Sequence, residues 1–226
     1  MKDGDFVTID YVARIKDTGE IFDLTKEEIA KKEGIYSEKV MYGPVTFIVG
    51  ANFVIRGLDE ALHEMKVGEK KTVEIPPEKA FGERREELIK LIPESQFKQQ
   101  NIEAVPGAYI NVNNIRGKIV SISGGRVKVD FNHPLAGKTL QYEIEVKGVV
   151  TDKLEKARAV VKYFTGKDMD VRSDDNMVEI ELEVDMRKEL KEIIARTISK
   201  WVGFNTVKFV DTFKNLSAKE MEMGKG

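Results

Sequence analysis

The chain has 226 residues, 41% of them hydrophobic and 34% charged, with a formal net charge of −2. That length supports more than one small unit with a real core, and the near-neutral balance argues against a general nucleic-acid or membrane-surface binder. With no cysteine, and with His63 and His133 as the only imidazoles, disulfides, thiolate chemistry and a histidine-rich metal site are excluded and no cofactor is expected.

Met1-Lys2-Asp3-Gly4-Asp5 lacks the apolar stretch of a secretory leader, and no run approaches the roughly eighteen apolar residues of a membrane span, so a cytoplasmic location is expected. Val7–Ile15 alternates with period two and reads as a strand, Lys16–Glu20 as its turn, and Ile21-Phe22-Asp23 as a resumed extended segment. Residues 24–45 break the pattern. Thr25–Lys32 is charged and helix-prone as far as Gly34, and the segment reads as a solvated surface excursion. Thr46–Val49 is again a strand. The apolar turn Val54-Ile55 then feeds a short helix whose Leu58, Ala61, Leu62 and Met65 share one face. Gly68 is the expected stop of that helix, and Thr72–Ile75 alternates like a strand.

After Gly82 the composition shifts: residues 84–129 carry eight basic against four acidic side chains. Leu88–Ile92 is apolar, Pro93 suits the first turn of a helix, and Tyr109–Val112 reads as a strand. Lys118–Ser123 and Arg126–Phe131 flank Gly124-Gly125, the signal of a two-residue hairpin. This stretch reads as a β-rich unit whose two ends must meet. Residues 132–138 form a loop, and Leu140–Val146 alternates cleanly as a strand. From Thr151 on, Asp152 with Glu155 signals a helix cap, and Leu154, Ala157, Val161 and Phe164 share a face before Gly166. Met177–Val184 alternates with Glu179, Glu181 and Glu183 outward. Leu190, Ile193, Ile194, Ile198 and Trp201 form a second helical stripe ending at Gly203, and Thr206–Val210 is a last strand. Residues 151–226 thus read as a separate α/β unit, with fifteen charges of each sign and no catalytic constellation.

Two of these stretches carry a resemblance. The order Val54-Ile55-Arg56-Gly57-Leu58, helix, Met65-Lys66-Val67-Gly68-Glu69, strand, Pro76-Pro77-Glu78-Lys79-Ala80-Phe81-Gly82 resembles the FKBP-type peptidyl-prolyl cis-trans isomerases. Asn132-His133-Pro134-Leu135-Ala136-Gly137-Lys138 followed by Leu140–Val146 looks like the final loop and strand of the same domain. The likeness covers roughly residues 1–23, 46–82 and 130–149, and is greatest to the SlyD-like branch, in its long archaeal form, where a domain is inserted in the loop called the flap. It implies an α+β fold. Residues 1–83 with 130–150 would form an antiparallel sheet wrapped on a short helix, 84–129 an inserted client-binding domain, and 151–226 a C-terminal α/β domain. Residues 24–45 would then enlarge a bulge in one strand of the family's sheet.

Carried over position by position, the resemblance implies a pocket lined by Tyr11, Phe22, Phe47, Val54, Ile55, Phe81, Leu135 and Tyr142. Leu58 would be its floor and Asp23 its one charged wall, and the Ile55 backbone N–H would donate to a substrate carbonyl. Leu58 stands where the family commonly has Trp, and Phe81 where it commonly has Tyr. Both changes keep the pocket apolar and bear on macrolide affinity more than on isomerisation. Without the resemblance, Tyr11, Phe47 and Tyr142 read as strand core, Asp23 as a turn carboxylate and His133 as a hydrogen-bonding loop residue. Gly124-Gly125 is a turn and not a phosphate cradle, because no strand-to-helix junction follows it.

Rotation about an X-Pro bond faces a barrier of about 18–20 kcal/mol. The twisted transition state has lost amide conjugation and its carbonyl is less polar, so a dry apolar cup favours it over the planar form without any acid, base or metal. The expected function is therefore a peptidyl-prolyl isomerase with chaperone activity, its partners X-Pro peptides and unfolded or partly folded proteins. A homodimer through residues 151–226 is expected as well. The alternative is a catalytically weak or inactive FKBP-like chaperone or adaptor. A nucleic-acid role resting on Tyr109, Arg116 and Arg126 is disfavoured by the modest charge density of the basic stretch.

Overall fold

The computed structural model describes residues 1–112, 115–182 and 185–211. In chain order the elements are β1 (Phe6–Ile15), β2 (Ile21–Leu24), α1 (Glu27–Lys32), β3 (Val45–Ile48), α2 (Arg56–Glu64) and β4 (Lys70–Ile75). There follow β5 (Ile89–Pro93), α3 (Glu94–Gln99), β6 (Tyr109–Val112), β7 (Ile115–Ser123), β8 (Arg126–Asp130) and β9 (Leu140–Val150). The chain continues through α4 (Lys153–Thr165), β10 (Val171–Asp174), β11 (Met177–Leu182), α5 (Lys188–Trp201) and β12 (Thr206–Asp211).

The first sheet has the order β2-β1-β9-β4, with β3 also paired to β1, all antiparallel. Period-two alternation puts Val7, Ile9, Tyr11 and Ala13 of β1 on the same face as Leu140, Tyr142, Ile144 and Val146 of β9. Helix α2 lies across that face and buries Leu58, Ala61 and Leu62 against it. It sits close because residue 57 is glycine: a Cβ there would clash with Ile75 Cγ2. The helix stops at Glu64, and Met65 is already extended. Gly68, expected as the helix stop, instead turns the chain into β4 at φ +82°, donating to the Val146 carbonyl.

The excursion over residues 24–45 is anchored rather than freely solvated. Thr25 is buried, its Oγ1 accepting from the Tyr11 N–H at 2.9 Å and donating to Asp10 Oδ1 at 2.8 Å. Helix α1 follows and buries Ala30 completely, while Ile35, Tyr36, Val40 and Met41 remain exposed.

The second sheet, β5-β8-β7-β6, has a core of its own built from Phe97, Ile110, Ile119, Val127 and Val129. Gly124 (φ +55°) and Gly125 (φ +71°) form the two-residue turn between β7 and β8, both in the left-handed region such a turn requires. The two segments joining this sheet to the first are laced together. Arg84 Nη2 meets Asp130 Oδ2 at 2.6 Å, the Arg85 N–H donates to Asn132 Oδ1 at 2.9 Å, and the Gly137 N–H to the Gly82 carbonyl at 2.9 Å.

The third sheet, β10-β11-β12, pairs β11 and β12 in parallel, joined through α5. Asp152 caps α4 by accepting from the Glu155 N–H at 2.8 Å, and Gly166 ends the helix at φ +66°. Strand β10 is an element the periodicity does not announce. On α5, Ile194 and Ile198 are buried but Ile193, assigned to the same stripe, is 47% exposed. The last two residues of the strand expected over 177–184 lie outside the described residues. Residues 151–226 read from the sequence as a separate unit, and their apolar core includes residues from outside that range. Phe6 of β1 and Ile48 of β3 belong to the core made by Ala157, Val160, Val161, Ile194, Ile198 and Phe204, so the third sheet and its helices share a core with the first. Trp201 reinforces the junction, its ring 3.6 Å from where a Cβ on Gly4 would stand.

Candidate active site

The ten residues assigned from the sequence come from seven places in the chain. Tyr11 lies on β1, Phe22 and Asp23 on β2, Phe47 on β3, and Val54, Ile55 and Leu58 at the start of α2. Phe81 follows the short 3-10 turn Pro77–Lys79, Leu135 lies in the 132–138 loop, and Tyr142 is on β9. Nine of them fall in one apolar cluster: Tyr11, Phe47, Leu58 and Tyr142 buried, Phe22, Val54, Ile55, Phe81 and Leu135 partly exposed. The tenth, Asp23, is exposed and bound to the group through the Tyr11 hydroxyl, which donates to Asp23 Oδ2 at 2.7 Å. Four of the nine are thus buried in the core of the first sheet and five lie at its partly exposed margin.

The aromatic rings touch in a chain. Tyr11 lies 5.7 Å from Tyr142 and 6.4 Å from Phe47, and Phe22 meets Tyr142 edge-on at 6.0 Å. Phe81 is stacked flat on His133, with 4.2 Å between ring centres and 3° between planes. His133 also accepts from the Leu135 N–H through Nδ1 at 3.2 Å. That imidazole holds the two loops bearing Phe81 and Leu135 against each other.

Burial, and then the Asp23 carboxylate, push the Tyr11 phenol up, and the same two causes in the same order act on Tyr142. Both hydroxyls therefore stay neutral donors over the whole ordinary pH range. At the start of α2, Ile55 is extended (φ −59°, ψ 147°) and no side chain caps the helix. Its carbonyl accepts from Leu58 and Asp59, whereas its N–H donates to no acceptor among the described residues. Nothing here is built to make or break a covalent bond. Among the described residues the arrangement offers an apolar surface, an amide donor without a partner and the Asp23 carboxylate beside Tyr11.

Three neighbours were not anticipated from the sequence: the stack of His133 on Phe81, and the pair Phe53 and Tyr163 beside Phe47. Tyr163 meets Phe47 edge-on at 6.1 Å and lies 4.2 Å from Phe53. The available signal was that Tyr163 is an aromatic lying off the apolar stripe of its own helix. Beside the cluster a cleft of about 1280 Å³ separates the first sheet from the second, with Phe22 and Leu135 on one side and Tyr109, Arg116, Lys118 and Val120 on the other.

A family model for the IF domain of FKBP26 matches residues 90–135. The chain is 42% identical over 149 residues to a short-type peptidyl-prolyl cis-trans isomerase of Methanocaldococcus jannaschii, covering 66% of this chain and 94% of that protein. The chain belongs to the FKBP-type peptidyl-prolyl cis-trans isomerases. The SlyD-like branch of this FKBP-type family is supported by SlyD of Helicobacter pylori, 37% identical over 108 residues (46% of this chain, 58% of that one). SlyD of Treponema pallidum is 34% identical over 147 residues (63% and 74%). As an FKBP-type enzyme the chain is a peptidyl-prolyl isomerase, and no helix among its described residues is long and apolar enough to cross a membrane.

Proposed function

We propose that this isomerase speeds proline-limited protein folding by seating X-Pro segments in the cup of Tyr11, Phe22, Phe47, Val54, Ile55, Leu58, Phe81, Leu135 and Tyr142, with Asp23 at its rim. Residues 84–129, as an inserted domain, hold unfolded or partly folded clients above it. The observation that carries the reading is that nine apolar side chains from separate parts of the chain belong to one cluster, among them Ile55, whose backbone N–H has no partner among the described residues.

The chemistry follows from polarity. A planar X-Pro amide loses part of its stabilising hydration on entering the cup, and the twisted form, with its less polar carbonyl, loses less. The Ile55 N–H holds a substrate carbonyl in register while the bond turns. A barrier lowered by about 6–8 kcal/mol corresponds to roughly four to six decades in rate. The cleft supports the client role because Leu91, Tyr109, Ile115 and Val120 leave exposed apolar surface on the second sheet, and Tyr109 and Val120 line the cleft. A segment held there is presented to the cup at high effective concentration.

The test compares a tetrapeptide isomerisation assay with refolding of a proline-limited protein, using the full chain and one in which residues 84–129 are replaced by a short linker. The reading expects the replacement to spare the tetrapeptide rate and to depress the refolding rate at least tenfold. Equal losses would remove the client-holding role. A tetrapeptide rate no better than buffer would favour instead a chaperone or adaptor weak in catalysis, for which the Leu58 floor and the hydroxyl-free Phe81 are the motive.

Residues 151–226 we read as a dimerisation surface, on the strength of exposed Ile193 on α5 and of β12, an edge strand with Val210 exposed. A strictly monomeric mass in sedimentation would remove that role. We place the enzyme in the cytoplasm, in keeping with a chain that uses no cysteine.

A further inference from the structure

Helix α4 lies outside the strands and loops that make the cup, yet one of its side chains reaches the rim. The Tyr163 hydroxyl donates to the Phe53 carbonyl at 2.7 Å across a sequence separation of 110 residues. Its ring packs on Phe53 at 4.2 Å and meets Phe47, itself a cup residue, edge-on at 6.1 Å. Phe164, the next residue along, meets Phe53 at 5.7 Å. Phe53 stands two positions before Ile55 in a segment without regular secondary structure. The segment is held from its other end by α2, through the Leu58 and Asp59 amides on the Ile55 carbonyl. Helix α4 is in turn fixed to the first sheet by the shared core around Phe6 and Ile48. Tyr163 keeps 36% of its surface exposed, so the ring is not simply core packing.

From these contacts we infer that Tyr163 is a positioning residue of the isomerase site, supplied by the C-terminal part of the chain. It pins the Phe53–Ile55 segment so that the Ile55 N–H keeps its aim, and it extends the aromatic wall outward from Phe47. A segment without regular structure between β3 and α2 has several orientations available to each amide. A hydroxyl bonded to its first carbonyl, with a ring packed at a tilt on the same residue, selects one of them. The inference rests on the cup being the substrate site, as proposed above. It adds that the C-terminal region completes that site and acts on the reaction as well as on assembly.

The test is Tyr163→Phe in the full chain, which keeps the ring and removes the hydrogen bond, beside Tyr163→Ala, which removes both. Loss of one hydrogen bond of ordinary strength predicts that kcat/KM on a tetrapeptide falls about two- to tenfold in Tyr163→Phe, mostly through a higher KM. A larger fall is expected in Tyr163→Ala. The Ile55 amide resonance should move in the free Tyr163→Phe protein, and its response to added peptide should weaken, with the thermal midpoint nearly unchanged. A lowered midpoint with wild-type KM and an unmoved Ile55 resonance would make Tyr163 merely structural and overturn the inference. Phe22→Ala and Asp23→Ala, measured alongside, separate the two levels. If they reduce activity while Tyr163→Phe does not, the cup stands and the role of Tyr163 falls. If neither they nor the Tyr163 variants alter activity, the cup reading fails and takes this inference with it.

Discussion

Phe6 is the sharpest probe of how the chain is assembled. It lies on β1 beside Val7, yet its ring, 1% exposed, belongs to the core of the third sheet and its helices, with Lys156 Nζ 5.3 Å above it. Phe6→Ala removes a fully buried aromatic ring from a site that two parts of the chain close from opposite sides, and such truncations cost about 3–5 kcal/mol. For a chain of this size each kcal/mol lowers the midpoint by roughly 2–4 °C, so a fall of roughly 6–20 °C is expected. The single tryptophan, Trp201, reports on the junction, because its ring rests against Gly4. The assay follows thermal unfolding by Trp201 fluorescence and, in parallel aliquots, by loss of tetrapeptide isomerase activity. A shared core requires both signals to change together in the wild type and to fall together in Phe6→Ala. If the fluorescence transition stays where it was while activity is lost earlier, the two parts fold independently and the argument for a common core is wrong.

Two further expectations follow. Since both cup phenols are pushed above their usual value of about 10, the tetrapeptide kcat/KM should be flat between about pH 6 and 9. A drop toward pH 9 that tracks a tyrosine titration would contradict this. Gly57→Ala should destabilise the first sheet by about 1–3 kcal/mol in urea titration, because the new methyl would clash with the Ile75 side chain. An unchanged midpoint would mean that α2 can lift off β4 at no cost.

Much of this architecture can be read directly from residue order. Strict alternation over Val7–Ile15 and Leu140–Val146 identifies the two long strands that pair at the centre of the first sheet, and the face of α2 is visible in the spacing of Leu58, Ala61 and Leu62. Gly124-Gly125 was legible because only glycine tolerates positive φ at both turn positions without strain. What stayed hidden depends on partners distant in sequence. Alternation says that Phe6 and Ile48 point away from α2, but not that α4 and α5 cover that outer face at one end of the sheet. Strand β10 carries one buried residue, Val171, and is an edge strand held by its register with β11. Ile193 looks like part of a stripe, yet the contact on α5 is narrower and is filled by Ile194 and Ile198. The cup residues could be collected by resemblance, but the contribution of Tyr163 could not: its place off the apolar stripe of α4 marks it as an aromatic in need of a partner, and that partner, Phe53, lies 110 residues away.

The lacing of the two connecting segments bears on how load is transmitted. The covalent links to the second sheet leave the first just after Phe81 and return just before His133, and those two rings lie flat against one another. The side chains that tie the second sheet to the first thus adjoin the candidate site residues Phe81 and Leu135. A displacement of the second sheet would reach Phe81 and Leu135 without passing through any other element, so the two ends of this connection are mechanically one joint.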